Sequence, residues 1–300
     1  MTSESLVVCD HERQWYGWLA LVGVFCAFIF LATIPFPRID NHLIGSDGIS
    51  YYAITRSVLL DGDFNFTNDY NLLGVEADLT ITGLPSNPFA IGTAILWMPF
   101  FLLAHIISMF LNVIGFAVPL NGIGYIYETS VCLGTIMYAS LGFILTYHTV
   151  RRVLMINIVP SFWSVIAMWW ATPAIYYIIA EPSMSHGLTI FTVAVFFFTW
   201  CKPSPDRSIW DWTKIGFAAG LVAIGRWQDG IIVIVPLIEM CWWFLQRRLS
   251  LVRVACYLLV FSITFLLVFL PQILMWKILY GTFLTIPQGG GFFNWINPQL

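Results

Sequence analysis

Residues 14–37 read QWYGWLALVGVFCAFIFLATIPFP, and no residue between Arg13 and Arg38 carries a charge. At 1.5 Å per helical residue the stretch reaches about 36 Å, enough to cross a hydrocarbon core of about 30 Å. A secretory signal would have an apolar centre of about 7–15 residues followed by a small-residue cleavage site. This run is longer, opens on Trp15, Tyr16 and Trp18, and closes on Pro35-Phe36-Pro37. It reads as an uncleaved first span.

The rest of the chain has the same character. Of its 300 residues 59% are hydrophobic, 17% aromatic and 10% charged, with a mean hydropathy of +0.82. A soluble domain carries about 25% charged residues, so a cytosolic enzyme, a disulfide-rich secreted module and a disordered protein are all excluded. The net charge of −3 comes without a basic stripe, which argues against nucleic acid as a partner. Cys9, Cys26, Cys132, Cys201, Cys241 and Cys256 show no Cys-x-x-Cys spacing and point to neither a metal site nor a disulfide framework.

Further apolar runs cover about 89–112, 124–147, 158–180, 184–200, 215–246 and 254–276, each bounded by Pro, Gly or charge. Three basic segments lie between runs: Arg151-Arg152; Lys202 with Arg207 and Lys214; and Arg247-Arg248 with Arg253. The positive-inside rule places all three in the cytoplasm, which seven full crossings cannot satisfy. The conflict is removed if 89–112 dips into the membrane and returns, or is broken near Asn112, and if 215–246 is a pair of helices interrupted at Gly225-Arg226-Trp227-Gln228-Asp229-Gly230. The expected fold is therefore all-α: one polytopic transmembrane helical bundle over residues 1–300, with a large outer first loop at about 38–88. The segment at 181–186, the turn at 225–230 and the tail from 277 would join that loop on the outer face.

The loop holds seven of the sixteen acids, Asp40, Asp47, Asp61, Asp63, Asp69, Glu76 and Asp78. After Gly45-Ser46-Asp47-Gly48, residues 49–60 have helical periodicity, with Ile49, Tyr52, Ala53, Arg56 and Leu60 on one face. That pattern predicts a juxtamembrane helix lying on the bilayer surface, with Asp47 at its start. As a structural residue, Asp47 would be an N-cap. Asp61-Gly62-Asp63-Phe64 ends the helix, and Ser86-Asn87-Pro88-Phe89-Ala90-Ile91-Gly92 opens the next run.

This order of residues resembles the polyprenyl-phosphate-dependent glycosyltransferases of the GT-C superfamily, in particular the protein O-mannosyltransferase and lipid A aminoarabinose transferase branch. The residues that carry the resemblance are Asp47, Tyr51 and Tyr52, Gly62-Asp63, and Asn87-Pro88, supported by Glu181, His186 and Arg226 at outer-face breaks. The adjacent Asp-Glu of many protein mannosyltransferases is absent. The resemblance implies an enzyme that moves a sugar, with inversion, from a polyprenyl-phosphate donor to a lipid, glycan or protein acceptor. It implies a multi-pass protein of a bacterial inner membrane with its site facing outside, and a chain that continues beyond residue 300. The rival reading is a polytopic transporter or lipid flippase, which would show internal repeats and mid-span charges.

Such a transfer needs a base for the incoming hydroxyl and positive charge for the departing phosphate. Asp47 is the expected base. Arg226 is the first choice for the phosphate because a guanidinium offers paired donors; its structural alternative is an ion pair with Asp229, three residues on. Tyr51, Glu181, His186, Gln228, Asp229 and Lys277 complete the expected donor-binding set, with Lys277 and Arg56 the weaker phosphate candidates. Glu181 and His186 also suit a divalent metal, although two ligands fall short of a site. His105, His148, Glu128 and Glu239 read as structural partners inside the bundle. Asn65-Phe66-Thr67 is a glycosylation sequon, and Thr285–Trp295, with Gly289-Gly290-Gly291, reads as a flexible loop.

Overall fold

The computed structural model describes residues 3–36, 43–202 and 204–288, with side chains from residue 12 onward. Asp40 and the Gly289-Gly290-Gly291 tail lie outside the described residues. The described chain is helical, without a strand: α1 (Ser3–Thr33), α2 (Gly48–Arg56), α3 (Thr67–Leu73), α4 (Ile91–Val113), α5 (Tyr125–His148), α6 (Ile158–Trp170), α7 (His186–Trp200), α8 (Ile209–Gly225), α9 (Ile234–Leu245) and α10 (Leu251–Tyr280). Five helical stretches are long and apolar enough to cross a membrane: Glu12–Thr33, Ile91–Val113, Tyr125–Val153, Trp227–Leu245 and Leu251–Tyr280. Trp18, Phe28, Ile106, Phe110, Leu259 and Leu267 stand exposed on α1, α4 and α10. A soluble protein would bury such faces; a bilayer's hydrocarbon covers them.

Contacts between helices fix their directions. Glu12 of α1 pairs with Arg151 (3.3 Å) and Arg152 (2.5 Å) just past α5, and Tyr16 bonds His148 at 2.9 Å. At the other end of α5, Glu128 accepts from the Leu43 amide at 2.7 Å. So α1 and α5 are antiparallel. Glycines let α7 lie parallel to α5: Gly142 abuts Phe191, and Gly187 abuts Thr135. In the same way Gly216 meets Phe261 and Thr264, and Gly220 meets Phe265 and Val268, so α8 and α10 are parallel. α8 runs back along α7, since Arg207 bonds the Trp200 carbonyl at 2.6 Å while Gly225 sits by Thr192. All three basic segments consequently lie at one end of the bundle. Glu239 there accepts from Arg207, Trp200, Trp243 and the Ser204 amide, a buried charge with its oxygens fully occupied.

Three expectations change. Residues 91–113 form one unbroken helix that neither dips back nor breaks before Asn112. Its start packs on Ile224 and Gln272, and His105 further along bonds Tyr127, near the start of α5, at 2.8 Å. The run 158–180 is not one helix: α6 stops at Trp170, and a π-helical turn follows at Tyr176–Ala180. And α2 is no surface helix, because Tyr51 through Arg56 are all buried. Arg56 bonds Asp61 (2.7 Å), Asp69 (2.8 Å) and the Asn121 carbonyl (2.7 Å). Those acids are matched to a buried cation, which removes Arg56 as a phosphate ligand. The expected division of 215–246 is observed, with Arg226 extended (φ −148°, ψ 111°) between α8 and a 3-10 turn at Trp227–Val233.

Candidate active site

At the end opposite the basic segments, the loop before α2, the segment leading into α4, the 181–186 turn, the 226–228 turn and the segment after α10 meet around a cavity of about 280 Å³. It is lined by Asp47, Tyr51, Pro88, Phe89, Ala90, Ser185, His186, Arg226, Trp227, Gln228 and Gln288. Small residues allow the approach. A Cβ on Gly48 would come within 2.7 Å of the Ser183 side chain, and the Gly45 amide donates to Ser183 Oγ at 3.4 Å. On the opposite wall, a Cβ on Gly92 would fall 2.5 Å from the Ile224 carbonyl carbon, two residues before Arg226.

The carboxylate of Asp47 makes no capping bond; only its backbone carbonyl accepts, from Ser50 and Tyr51. The capping role is thus unfilled, and the side chain, half-buried, belongs to the cavity. Tyr51 Oη donates to Ser185 Oγ at 3.1 Å, and burial pushes its phenol up to about 12, so it stays a protonated donor at neutral pH. This bond ties α2 to the turn that carries His186.

Arg226 Nη1 donates to His186 Nδ1 at 3.1 Å. Because a guanidinium has donors only, Nδ1 must be the acceptor, and the imidazole proton sits on Nε2. Asp229 is 4.0 Å from Arg226 Nε, the far limit of an ion pair, and both side chains are about one-third exposed. Local neutralisation of Arg226 by Asp229 is therefore weak. His186 is further clamped by Tyr177, whose ring stacks on it at 3.9 Å. The site thus gathers the Asp47 carboxylate, the guanidinium–imidazole pair and Gln228 around one cavity.

Not every expected residue is present. Glu181 ends the π-helical turn and is not in the cavity wall, whereas His186 is; among the described residues no three His, Cys, Asp or Glu side chains come together as metal ligands would. Lys277 is turned to the Gly281 carbonyl (2.7 Å) and the Phe283 ring, where it caps α10. The sequence reasoning missed Phe89, Ser185, Trp227, Gln288 and the supporting Tyr177. Ser185 and Tyr177 flank positions already singled out; Gln288 had no local signal.

Two further cavities lie beyond this one. A pocket of about 340 Å³ is lined by His186, Tyr177, Pro173 and Thr189, and shares Ala174, Ile190 and Val193 with an apolar groove of about 510 Å³ between α5, α6 and α7. His186 is common to the first pocket and the polar cavity. No protein-family model, curated protein or solved structure matches the chain.

Proposed function

We propose that the chain is a membrane glycosyltransferase that takes a sugar from a polyprenyl-phosphate donor and passes it to a hydroxyl-bearing lipid, glycan or protein acceptor. The observation that carries this reading is the meeting of Asp47, free of any capping bond, with the Arg226–His186 pair in one cavity that shares His186 with a second pocket bordering an apolar groove. A lipid phosphate has two chemically unlike parts. Its oxygens suit the guanidinium fork and the His186 Nε2–H, and its chain suits the groove between α5, α6 and α7.

In the proposed reaction the acceptor oxygen bonds to the anomeric carbon as the bond from that carbon to the phosphate oxygen breaks. Asp47 takes the acceptor proton, and the lipid phosphate leaves with the bonding electrons, stabilised by Arg226. Attack from the face opposite the phosphate inverts the anomeric centre. With the basic segments in the cytoplasm, as the positive-inside rule directs, the cavity faces outward. A transporter would have to open the same polar site toward both ends, whereas every lining residue of this cavity comes from one end.

The test is direct. Purified protein in lipid nanodiscs is supplied with undecaprenyl-phosphate-linked hexose carrying a radiolabel in the sugar, together with a membrane lipid extract. Appearance of free undecaprenyl phosphate and labelled acceptor is expected; retention of all label on the donor, with transport of the intact lipid between leaflets, would replace this reading with the flippase.

A further inference from the structure

After α10 the chain does not leave the bundle. Gly281 ends the helix in a left-handed turn (φ +73°), and the segment is tied to the loop before α4 by Thr82 Oγ1 donating to the Leu279 carbonyl (2.7 Å) and by the Ser86–Tyr280 hydroxyl contact (3.1 Å). Residues 282–288 then return to the cavity, where Gln288 Nε2 donates to the Pro88 carbonyl at 3.2 Å. That bond fixes the amide: Nε2 must face Pro88, because a carbonyl can only accept. The other end, Oε1, is buried and has no partner. Among the described residues it is the one such orphaned side-chain atom that belongs to a cavity-lining residue.

A buried acceptor without a donor is destabilising until something supplies one. An ionised phosphate cannot, since it offers acceptors. A sugar hydroxyl can. We propose that Gln288, held by the strap 282–288, is a specificity residue that accepts a hydrogen bond from a hydroxyl of the donor's sugar and so distinguishes the loaded lipid phosphate from the spent one. This inference rests on the proposed function and adds to it the part of the substrate read away from Arg226.

Equilibrium binding of two probes, undecaprenyl phosphate and undecaprenyl-phosphate-linked hexose, to the full chain in nanodiscs tests it. Gln288→Met keeps the length and removes the acceptor; it should weaken the sugar-bearing probe roughly tenfold, the effect of one hydrogen bond, and leave the bare lipid phosphate unchanged. Gln288→Glu keeps an acceptor while losing the bond to Pro88, and should hold the ratio of the two affinities within about threefold of wild type. Equal weakening of both probes by Gln288→Met would make the strap a purely structural closure and overturn the inference. So would an unchanged ratio. Failure of the wild type to bind either probe would overturn the inference together with the lipid-phosphate reading; binding of both with no Gln288 effect overturns the inference alone.

Discussion

Gly92→Ala separates what helix propensity alone says from what the packing says. Replacing a helical glycine by alanine gains up to about 1 kcal/mol, and at Gly17, where no atom lies within 4 Å of the added carbon, that gain should be realised. At Gly92 the same methyl would sit 2.5 Å from the Ile224 carbonyl carbon and 2.7 Å from the Gly225 nitrogen. Both are backbone atoms of α8, itself seated on α10 through Gly220 and Gly216, so no flexible side chain can yield. Overpacking of this kind costs about 1–3 kcal/mol. The net expectation is a loss of up to about 2 kcal/mol for Gly92→Ala against a gain of up to about 1 for Gly17→Ala. Because Ala90 and Arg226 flank the contact, binding of undecaprenyl-phosphate-linked hexose should weaken as well. Thermal unfolding of both variants in one detergent reads the first effect, and equilibrium binding the second. Equal unfolding midpoints for Gly92→Ala and Gly17→Ala would refute the close seating of α4 on α8.

Arg226→Lys should lose roughly tenfold in donor affinity, since a point charge cannot reproduce the paired donors; near-wild-type transfer by the double variant Arg226→Gln with Asp229→Asn would show that the pair is only structural. Glu239→Gln should destabilise by about 3–5 kcal/mol, because it leaves Arg207 buried with a neutral partner; measured unfolding within about 1 kcal/mol of wild type would mean that the pair is solvated. A cysteine at Asn71 should be labelled by an impermeant maleimide from outside the cell, and labelling from the cytoplasmic side alone would reverse the topology.

The ends of the bundle were legible in the sequence because their signals are local. Two glycines and two charges at 225–230 mark the break that frees Arg226, and Pro182 between apolar runs marks the turn that presents His186. The polar loop was misread for the opposite reason. Arg56, Asp61 and Asp69 look like a solvated face when counted along the chain, yet the tertiary fold brings both acids onto the buried Arg56 guanidinium. The same holds for Gln288, whose place in the cavity depends on a return of the chain after α10 that no periodicity encodes. The uninterrupted α4 was hard to read for a local reason: Pro99, nine residues in, is a residue that ordinarily kinks or ends a helix, yet the helix runs through it.

The central claim is that Asp47 acts as the base and not as a helix cap. Asp47→Asn preserves size and capping ability while removing the basic oxygen, and the Asp47 side chain makes no capping bond to lose. In single-turnover transfer from undecaprenyl-phosphate-linked hexose, the variant should bind donor normally, unfold at the wild-type temperature and transfer sugar about 100- to 10,000-fold more slowly. A transfer rate within about twofold of wild type, far short of the loss expected on removing a general base, would contradict the account.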